Sequence, residues 1–240
     1  MRCRRLSRCR VSCLCSTQAH AMGSGGLTYL LQDQRMSCRP LHILEELEQC
    51  GFIRGYDPYV TEEKARRRKG DEERHSPDCL YQIVDPFTLF HYQVFAGHSR
   101  DAHYWLGVYN SPKHSTWAGL SFEMLCLNHA EQIKKALGIN GIHAEVMSWF
   151  GKGENRSAQI DMLIDRADGH LNLCEMKFYR GAYAMTQKEE EDIERKIRVL
   201  QEATKTDKSI IVTMITREGL KRNEHANIVQ REVGLEELFE

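Results

Sequence analysis

One Glu-x-Lys pair lies in a segment where burying its charges would be costly. The sequence contains three such pairs, but only Glu175 and Lys177 fall within an apolar stretch, residues 171–178. Glutamate and lysine are almost never fully buried unless they are paired or bound. Side chains alternate along a β-strand, so these two would share one face, about 6.6 Å apart along the strand. The pattern indicates either a structural ion pair or a site of chemistry.

A second acid, Asp161, lies in a comparable segment upstream. It lies between Ile160 and Met162, and a turn at Asp168–Gly169 separates its segment from that of Glu175. Neighbouring strands of a hairpin lie about 4.8 Å apart, so Asp161 and Glu175 are expected to converge. Two carboxylates at that spacing repel each other, and a divalent cation between them removes the repulsion. Oxygen-only ligands favour Mg²⁺ or Mn²⁺ over Zn²⁺.

The chemistry expected of this group is phosphodiester hydrolysis. A metal held by Asp161 and Glu175 would polarise a phosphoryl oxygen and lower the pKa of a bound water. Lys177 would orient that water or stabilise the developing negative charge. Glu123, which lies among apolar residues of a predicted helix, would add a third metal ligand. The alternative is purely structural, with a buried Glu–Lys pair and an aspartate that caps a turn.

The segments from residue 117 onward are predicted to position these side chains. Apolar residues recur at helical spacing before Gly138, and strand-like segments bounded by turn residues follow. The resulting order is αβββαβ, in which both helices can cover a mixed sheet, and the fold class is predicted to be α/β (α+β). The predicted elements are helices over 117–137 and 187–203 and strands over 143–149, 158–165, 171–178, 209–216 and 228–233.

The residues before this core predict a smaller unit. Pro40 opens an amphipathic helix that Gly51 ends, and two short strands then flank a highly charged segment before an aromatic helix. Helix, strand, charged hairpin and strand is the order of a winged helix, although any small α+β hairpin unit has the same pattern. The predicted domains are a disordered basic arm (1–25), a winged-helix-like domain (26–96), a linker (97–116) and the αβββαβ domain (117–240).

Bulk composition is that of an ordinary globular chain. The 240 residues are 41% hydrophobic and 28% charged with a net charge of −1, so any nucleic-acid site must be a local patch. No apolar run approaches the roughly 18 residues of a membrane span, and no apolar segment like that of a signal peptide follows the basic N-terminus. These features favour a cytoplasmic protein without a membrane partner. The nine cysteines lack paired zinc spacing, which favours small buried side chains over metal ligands.

Several separate blocks of this sequence resemble the C-terminal region of prokaryotic and archaeal-type AAA ATPases. In that family a winged helix precedes a domain that resembles PD-(D/E)xK nucleases, which implies a restriction-endonuclease-like core here. The resemblance carries the nuclease motif onto Asp161, Glu175 and Lys177, with Glu123 as the helix acid. The sequence departs from the family in having Ile160 rather than proline before the aspartate and in having no G-x-x-x-x-G-K-[ST] motif. The similar blocks are residues 51–54, 81–90, 117–123, 158–161, 172–178 and 219–224.

Basic residues outside this group are candidate DNA contacts. The charged segment of the winged-helix-like unit would follow phosphates as a wing does, and the charged helix and a later basic pair would add contacts. Acidic neighbours leave open the alternative that these are solvated, charge-paired surfaces. The candidates are Arg66, Arg67, Arg68, Lys196, Arg198, Lys221 and Arg222.

Three functions are compatible with this sequence. The first is a DNA-directed, divalent-metal-dependent phosphodiesterase (nuclease) domain of an ATPase-associated protein. The second is a non-catalytic DNA-binding or regulatory module of an AAA-type ATPase. In both, an ATPase module or subunit is an expected partner beside DNA, because this sequence resembles only the tail of such an ATPase. The third, a transcription regulator, is disfavoured because the helix at 40–50 is acidic.

Overall fold

The computed structural model describes residues 40–56, 59, 80–95, 103–152 and 157–240. The chain divides into two units. Unit 1 comprises the described residues within Met1–Arg54 and Tyr81–Ser121. Unit 2 comprises those within Gly55–Leu80 and Phe122–Glu240. Helices and strands occur together, as the predicted mixed α and β class requires. Every helix among the described residues is too short or too polar to cross a membrane.

The described chain begins with a helix and a two-stranded sheet. Helix α1 (Pro40–Gln49) is closed by Gly51, whose φ of 74° is the left-handed conformation that commonly ends helices. Strands β1 (Ile53–Tyr56) and β2 (Leu80–Ile83) pair with each other. The predicted order of helix, strand and strand is therefore present. Apart from Tyr59, the charged segment between the strands lies outside the described residues, so the winged helix stays a prediction.

The rest of unit 1 is helical and packs around aromatic side chains. The ring of Trp105 lies 5.0 Å from that of Phe90 and 6.4 Å from that of Trp117. These contacts explain why the predicted linker, 97–116, is largely helical in its described part, since Trp105 anchors it to the neighbouring helices. The helical elements are α2 (Pro86–Phe90), a π-helical continuation (His91–Phe95), α3 (Tyr104–Val108) and the first part of α4 (Pro112–Asn128).

Unit 2 contains a five-stranded mixed sheet and a small two-stranded sheet. The strands are β3 (Ala144–Lys152), β4 (Ser157–Arg166), β5 (His170–Lys177), β6 (Tyr183–Ala184), β7 (Ser209–Thr216), β8 (Leu220–Lys221) and β9 (Arg231–Gly234). The large sheet has the order β3-β4-β5-β7-β9, and β6 pairs with β8. Strands β3, β4 and β5 are antiparallel neighbours, whereas β7 and β9 join parallel to β5.

Helices cover both faces of the large sheet. They are the end of α4, α5 (Ala130–Ala136) and α6 (Gln187–Thr204). Leu173 of β5 lies in one apolar cluster with Leu200 of α6, whereas the next residue, Cys174, lies in another with Cys126 of α4. Because consecutive side chains point to opposite faces of a strand, α4 and α6 lie on opposite sides of β5. Helix α6 also provides the crossover that a parallel connection from β5 to β7 needs.

The predicted helices and strands of unit 2 are present in the predicted order, but the short strands β6 and β8 are not predicted and several elements differ at their ends. Strand β7 has the predicted bounds, and helix α6 extends the predicted one by a single residue, Thr204. The helix predicted over 117–137 begins earlier, at Pro112, and is interrupted at His129. The last predicted strand, 228–233, starts later, at Arg231, because a 3-10 helix (Glu224–Ile228) precedes it.

Candidate active site

Two neighbouring strands bring the predicted acids to one end of the sheet. Strands β4 and β5 pair in register as far as Met162 opposite Cys174. Continuing this register by one residue places Asp161 opposite Glu175, where the two strands stop pairing. Lys177 is the last residue of β5 and lies at the same end. The hairpin expected from the sequence is therefore present, and its open end carries all three motif residues.

Strand β4 contains a β-bulge in the segment that includes Asp161. Its pairing with β3 shifts between Leu163, which lies opposite Met147, and Ile160, which lies opposite Trp149. Three steps along β4 therefore face two steps along β3. Ile160 and Leu163 pack into one apolar cluster although they are an odd number of residues apart, so the alternation of side chains is reset between them. Bulges redirect side chains in this way and are common beside active sites.

Two ammonium groups neutralise Glu175. Lys177 Nζ lies 2.9 Å from Glu175 Oε1, and Lys196 Nζ, from the middle of α6, lies 2.7 Å from Glu175 Oε2. The side chains of Glu175 and Lys196 are only 16% and 12% exposed. Burial by itself would raise the pKa of Glu175, but the two lysine charges outweigh burial and hold that pKa below its usual range. Glu175 in turn keeps the pKa of both lysines above the usual range, against the opposing effect of their burial.

The other two carboxyl groups of the site have raised pKa values. Burial, followed by the charge of Glu175, raises the pKa of Asp161, although its Oδ1 accepts a hydrogen bond of 2.8 Å from Gln159 Nε2. Burial, followed by the charges of Asp161 and Glu175, raises the pKa of Glu123 to about 8. Glu123 is therefore mostly protonated at neutral pH. Mutual effects of this kind require the three carboxyl groups to lie near each other.

The chemistry of these donors fits a hard divalent cation. Asp161, Glu175 and Glu123 offer only oxygen ligands, and a cation would relieve the repulsion that contributes to the raised pKa values. Across the part of the chain that the structure describes, however, no three His, Cys, Asp or Glu side chains are spaced as a metal cluster. Both oxygens of Glu175 are bound by lysines. Coordination by Glu175 would use the remaining lone pairs of these oxygens, and it would place the cation close to two ammonium groups that repel it.

Lys196 lies in the candidate site, whereas its sequence context predicts a DNA-contacting surface. Its ammonium lies between Glu175 and Asp192, 3.6 Å from Asp192 Oδ2. Helix α6 is rich in acids, which favours a solvated helix, but Ile193 and Val199 are buried. Lys196 is three residues from each of them and so lies on the same helical face. Helical spacing was the signal in the sequence that would have placed this lysine inside the protein.

The remaining basic candidates lie on the surface of unit 2 or outside the described residues. Arg198 is 64% exposed, with its guanidinium 4.0 Å from Glu194. Lys221 and Arg222 are exposed, and Arg222 lies 3.5 Å from Glu232. These acids offset part of the positive charge that DNA contact needs. Three further candidates, Arg66, Arg67 and Arg68, lie outside the described residues.

Comparisons with known proteins add little to this geometry. No protein-family model and no curated protein matches the sequence. Among solved structures, the crystal structure of a protein of unknown function, AF1548, is 17% identical over 48% of this chain, with a TM-score of 0.33. The match spans 64% of that protein's chain, which is less than two thirds of its length. A similarity this low carries no functional argument, so the function must be argued from the side chains of the site.

Proposed function

We propose that unit 2 is a divalent-metal-dependent phosphodiesterase domain that acts on DNA. The observation that carries the proposal is that Asp161, Glu175 and Lys177 lie close together where β4 and β5 stop pairing. Glu123 lies near enough for the charges of both acids to raise its pKa. This group of residues, on an αβββαβ order of elements, is what a restriction-endonuclease-like core with a PD-(D/E)xK motif presents. The proposed cofactor is Mg²⁺ or Mn²⁺, because every candidate ligand is an oxygen.

Asp161, Glu175 and Glu123 are the residues proposed to hold the cation. When bound, such a cation polarises a phosphoryl oxygen and lowers the pKa of a coordinated water. Lys177 is half-buried beside Glu175 with a raised pKa, so it is a cation at neutral pH and not a general base. Its ammonium would therefore orient the attacking water by a hydrogen bond and stabilise negative charge on the phosphate.

A cleavage assay with matched variants tests this proposal. Single- and double-stranded DNA would be incubated with wild type, Asp161→Asn and Lys177→Met in the presence of Mg²⁺ or Mn²⁺. Losing a group that acts on the transition state typically lowers the rate roughly 100-fold or more. Asp207→Asn is the control, since Asp207 is exposed. Folded wild-type protein that cleaves neither DNA with either metal would contradict the proposal.

A second candidate function is a non-catalytic DNA-binding or regulatory module of an AAA-type ATPase. The observation that favours it is the pair of lysines on Glu175, which neutralises the carboxylate without any metal. Calorimetric titration with Mg²⁺ and Mn²⁺ separates the two candidates. DNA binding without metal binding and without cleavage would favour the regulatory module. In both cases the proposed partner is an ATPase module or subunit, on the basis of the resemblance of residues 51–54 and 81–90 to its winged helix.

A further inference from the structure

Exposed aromatic rings border the candidate site. Phe178 and Tyr179 directly follow Lys177, and their side chains are 39% and 54% exposed. The ring of Tyr179 lies 5.8 Å from that of Tyr183, edge to face. The Tyr183 hydroxyl is fixed by a hydrogen bond to the Glu189 carboxylate. Exposed apolar side chains that lie together beside polar residues are typical of surfaces that bind another molecule.

One of these rings is also held in place and is accompanied by a positive charge. The ring of Phe178 packs against Phe122, with 5.7 Å between the ring centroids. The Arg217 guanidinium lies 5.9 Å from the centroid of Phe178, at cation–π distance. Arg217 is partly exposed and also lies 3.3 Å from Glu218. The ring and the guanidinium therefore form one prearranged surface.

Two loops at one end of the sheet carry this surface. Strands β5 and β7 are parallel, with Lys177 opposite Thr216, so the loops that follow them leave the sheet at the same end. Strands β6 and β8 join the two loops, and Tyr183 N donates a hydrogen bond of 2.8 Å to Gly219 O. Gly219 has a φ of 87°, which few other residues adopt. The aromatic edge, as we call Phe178, Tyr179, Tyr183 and Arg217, is therefore built into the fold.

We propose that the aromatic edge binds unpaired nucleotides of the DNA strand whose phosphodiester enters the site. This inference rests on the proposed function and deepens it, because it makes single-stranded DNA, or an unpaired end, the substrate class. Single strands bind where bases stack on aromatic rings beside positive charges, whereas bases in a duplex are already stacked and hidden. Tyr179 is two residues from Lys177, about 7 Å along an extended chain. A base on its ring would thus belong to a nucleotide next to the phosphate in the site.

Further charges on the same edge agree with a nucleic-acid partner. Arg180, Lys221 and Arg222 are exposed on the loops that carry the aromatic edge. Glu218 and Glu232 offset part of this charge. An apolar protein partner would not need basic residues among the rings. The mixture of rings and cations matches a polyanion with flat bases.

Fluorescence anisotropy in EDTA tests the inference without any cleavage. A short labelled oligothymidylate and a labelled duplex would be titrated with wild type, Tyr179→Leu and Tyr179→Phe. Wild type should bind the single strand more tightly, and Tyr179→Leu should weaken that binding roughly tenfold, because one stacked base is lost. Tyr179→Phe should bind like wild type, since the ring remains. Phe87→Leu is the control, because Phe87 is a 72% exposed ring in unit 1.

The outcomes separate this inference from the proposed function. Equal binding of single strand and duplex, or equal effects of Tyr179→Leu and Phe87→Leu, would overturn the aromatic edge as a nucleotide site. Cleavage of duplex DNA under Mg²⁺ or Mn²⁺ would leave the phosphodiesterase standing in that case. Binding of the single strand that depends on the Tyr179 ring supports the inference even if neither metal supports cleavage.

Discussion

Replacing Lys196 with methionine removes one of the two ammonium groups on Glu175 and keeps most of the side-chain volume. Lys196 Nζ lies 2.7 Å from Glu175 Oε2, and only 12% of the Lys196 side chain is exposed. Methionine is flexible and apolar, so it can occupy the same path between α6 and β5. The effect of Lys196→Met should therefore come from the lost charge and not from a cavity.

The expected loss of stability is about 2 kcal/mol at neutral pH. Removing one partner of a buried ion pair costs ~3–5 kcal/mol when the other charge is left alone. Glu175 is not left alone, because Lys177 Nζ remains 2.9 Å from its other oxygen. The loss is then that of one charged hydrogen bond, about 1.5–3 kcal/mol.

The loss should depend on pH in a defined direction. The lysines depress the pKa of Glu175, so its stabilising contribution is present above its unfolded pKa of about 4.3 and disappears as pH falls through the folded pKa. The pKa of Lys196 is raised, so its contribution is complete below about 10.4 and disappears as pH rises through the folded pKa. The gap between wild type and Lys196→Met should be widest near neutral pH and should narrow in acid.

Urea unfolding followed by circular dichroism, in EDTA, measures this gap at neutral and at acidic pH. Lys188→Met is the matched control, because Lys188 lies on the same helix and is exposed. Its cost should stay within ~0.5 kcal/mol. Equal losses for Lys196→Met and Lys188→Met, or a gap that widens in acid, would refute the reasoning from the ion pair.

Three further substitutions test other parts of unit 2. Burial raises the pKa of Glu123 to about 8, so above about pH 4.3 the folded state keeps a proton that the unfolded state releases. The free energy of unfolding therefore falls as pH rises from about 4.3 to about 8. Glu123→Gln removes this loss, so urea unfolding in EDTA should show a free energy of unfolding about 2–4 kcal/mol higher than that of wild type above pH ~8 and little changed near pH ~5. An equal gain at both pH values would contradict the assignment. In Gly151→Ala the new Cβ would lie 2.4 Å from Trp149 Cζ2, and this overlap should lower the stability measured by thermal unfolding by ~1–3 kcal/mol. Unchanged stability would mean that the buried indole can move. Thr186→Ala removes the hydroxyl that donates to Glu189 Oε2 at 2.8 Å and should lower the free energy of unfolding by ~1 kcal/mol. Amide exchange should become faster in the first turn of α6 alone, and unchanged exchange there would exclude this capping role.

Local pattern predicts the strands and the charged helix of unit 2 because each is a continuous periodic segment between turn residues. It does not predict the interruption of the long helix at His129, where neither glycine nor proline marks a break. The His129 imidazole contacts Leu125 O at 2.8 Å, and the backbone N–H of His129 donates to the same carbonyl at 3.0 Å, so the helical hydrogen bonding continues through this residue. The helical character of 103–116 is missed for a different reason. It depends on the contact of Trp105 with Phe90, and composition alone does not reveal a contact between distant residues.

The candidate site shows the same division between local pattern and tertiary contact. Charged residues in an apolar strand identify Glu175 and Lys177, since burial of charge is improbable without a partner. The bulge at Asp161 depends on how β3 pairs with β4, and the sequence of β4 alone carries no glycine that would mark it. The sequence predicts Lys196 as a DNA contact on a charged helix, and the many acids of α6 obscure the spacing of its few apolar residues. In each case the missed feature is set by a neighbouring element.

The double ion pair on Glu175 links the two candidate functions. With Glu123 protonated, the charges of Asp161 and Glu175 are balanced by Lys177 and Lys196, so the fold needs no metal to neutralise the site. A site balanced in this way can keep its residues for stability alone, which is what the regulatory module requires. Hydrolysis adds one demand, that Glu175 accept a cation beside two ammonium groups that repel it. A shift of Lys196 toward Asp192 Oδ2, which lies 3.6 Å from its ammonium on the same helix, would reduce this repulsion. If so, Lys196→Met should bind Mn²⁺ more tightly than wild type, and Asp192→Asn should bind it more weakly, while weaker binding by Lys196→Met would show that this lysine helps to build the metal site.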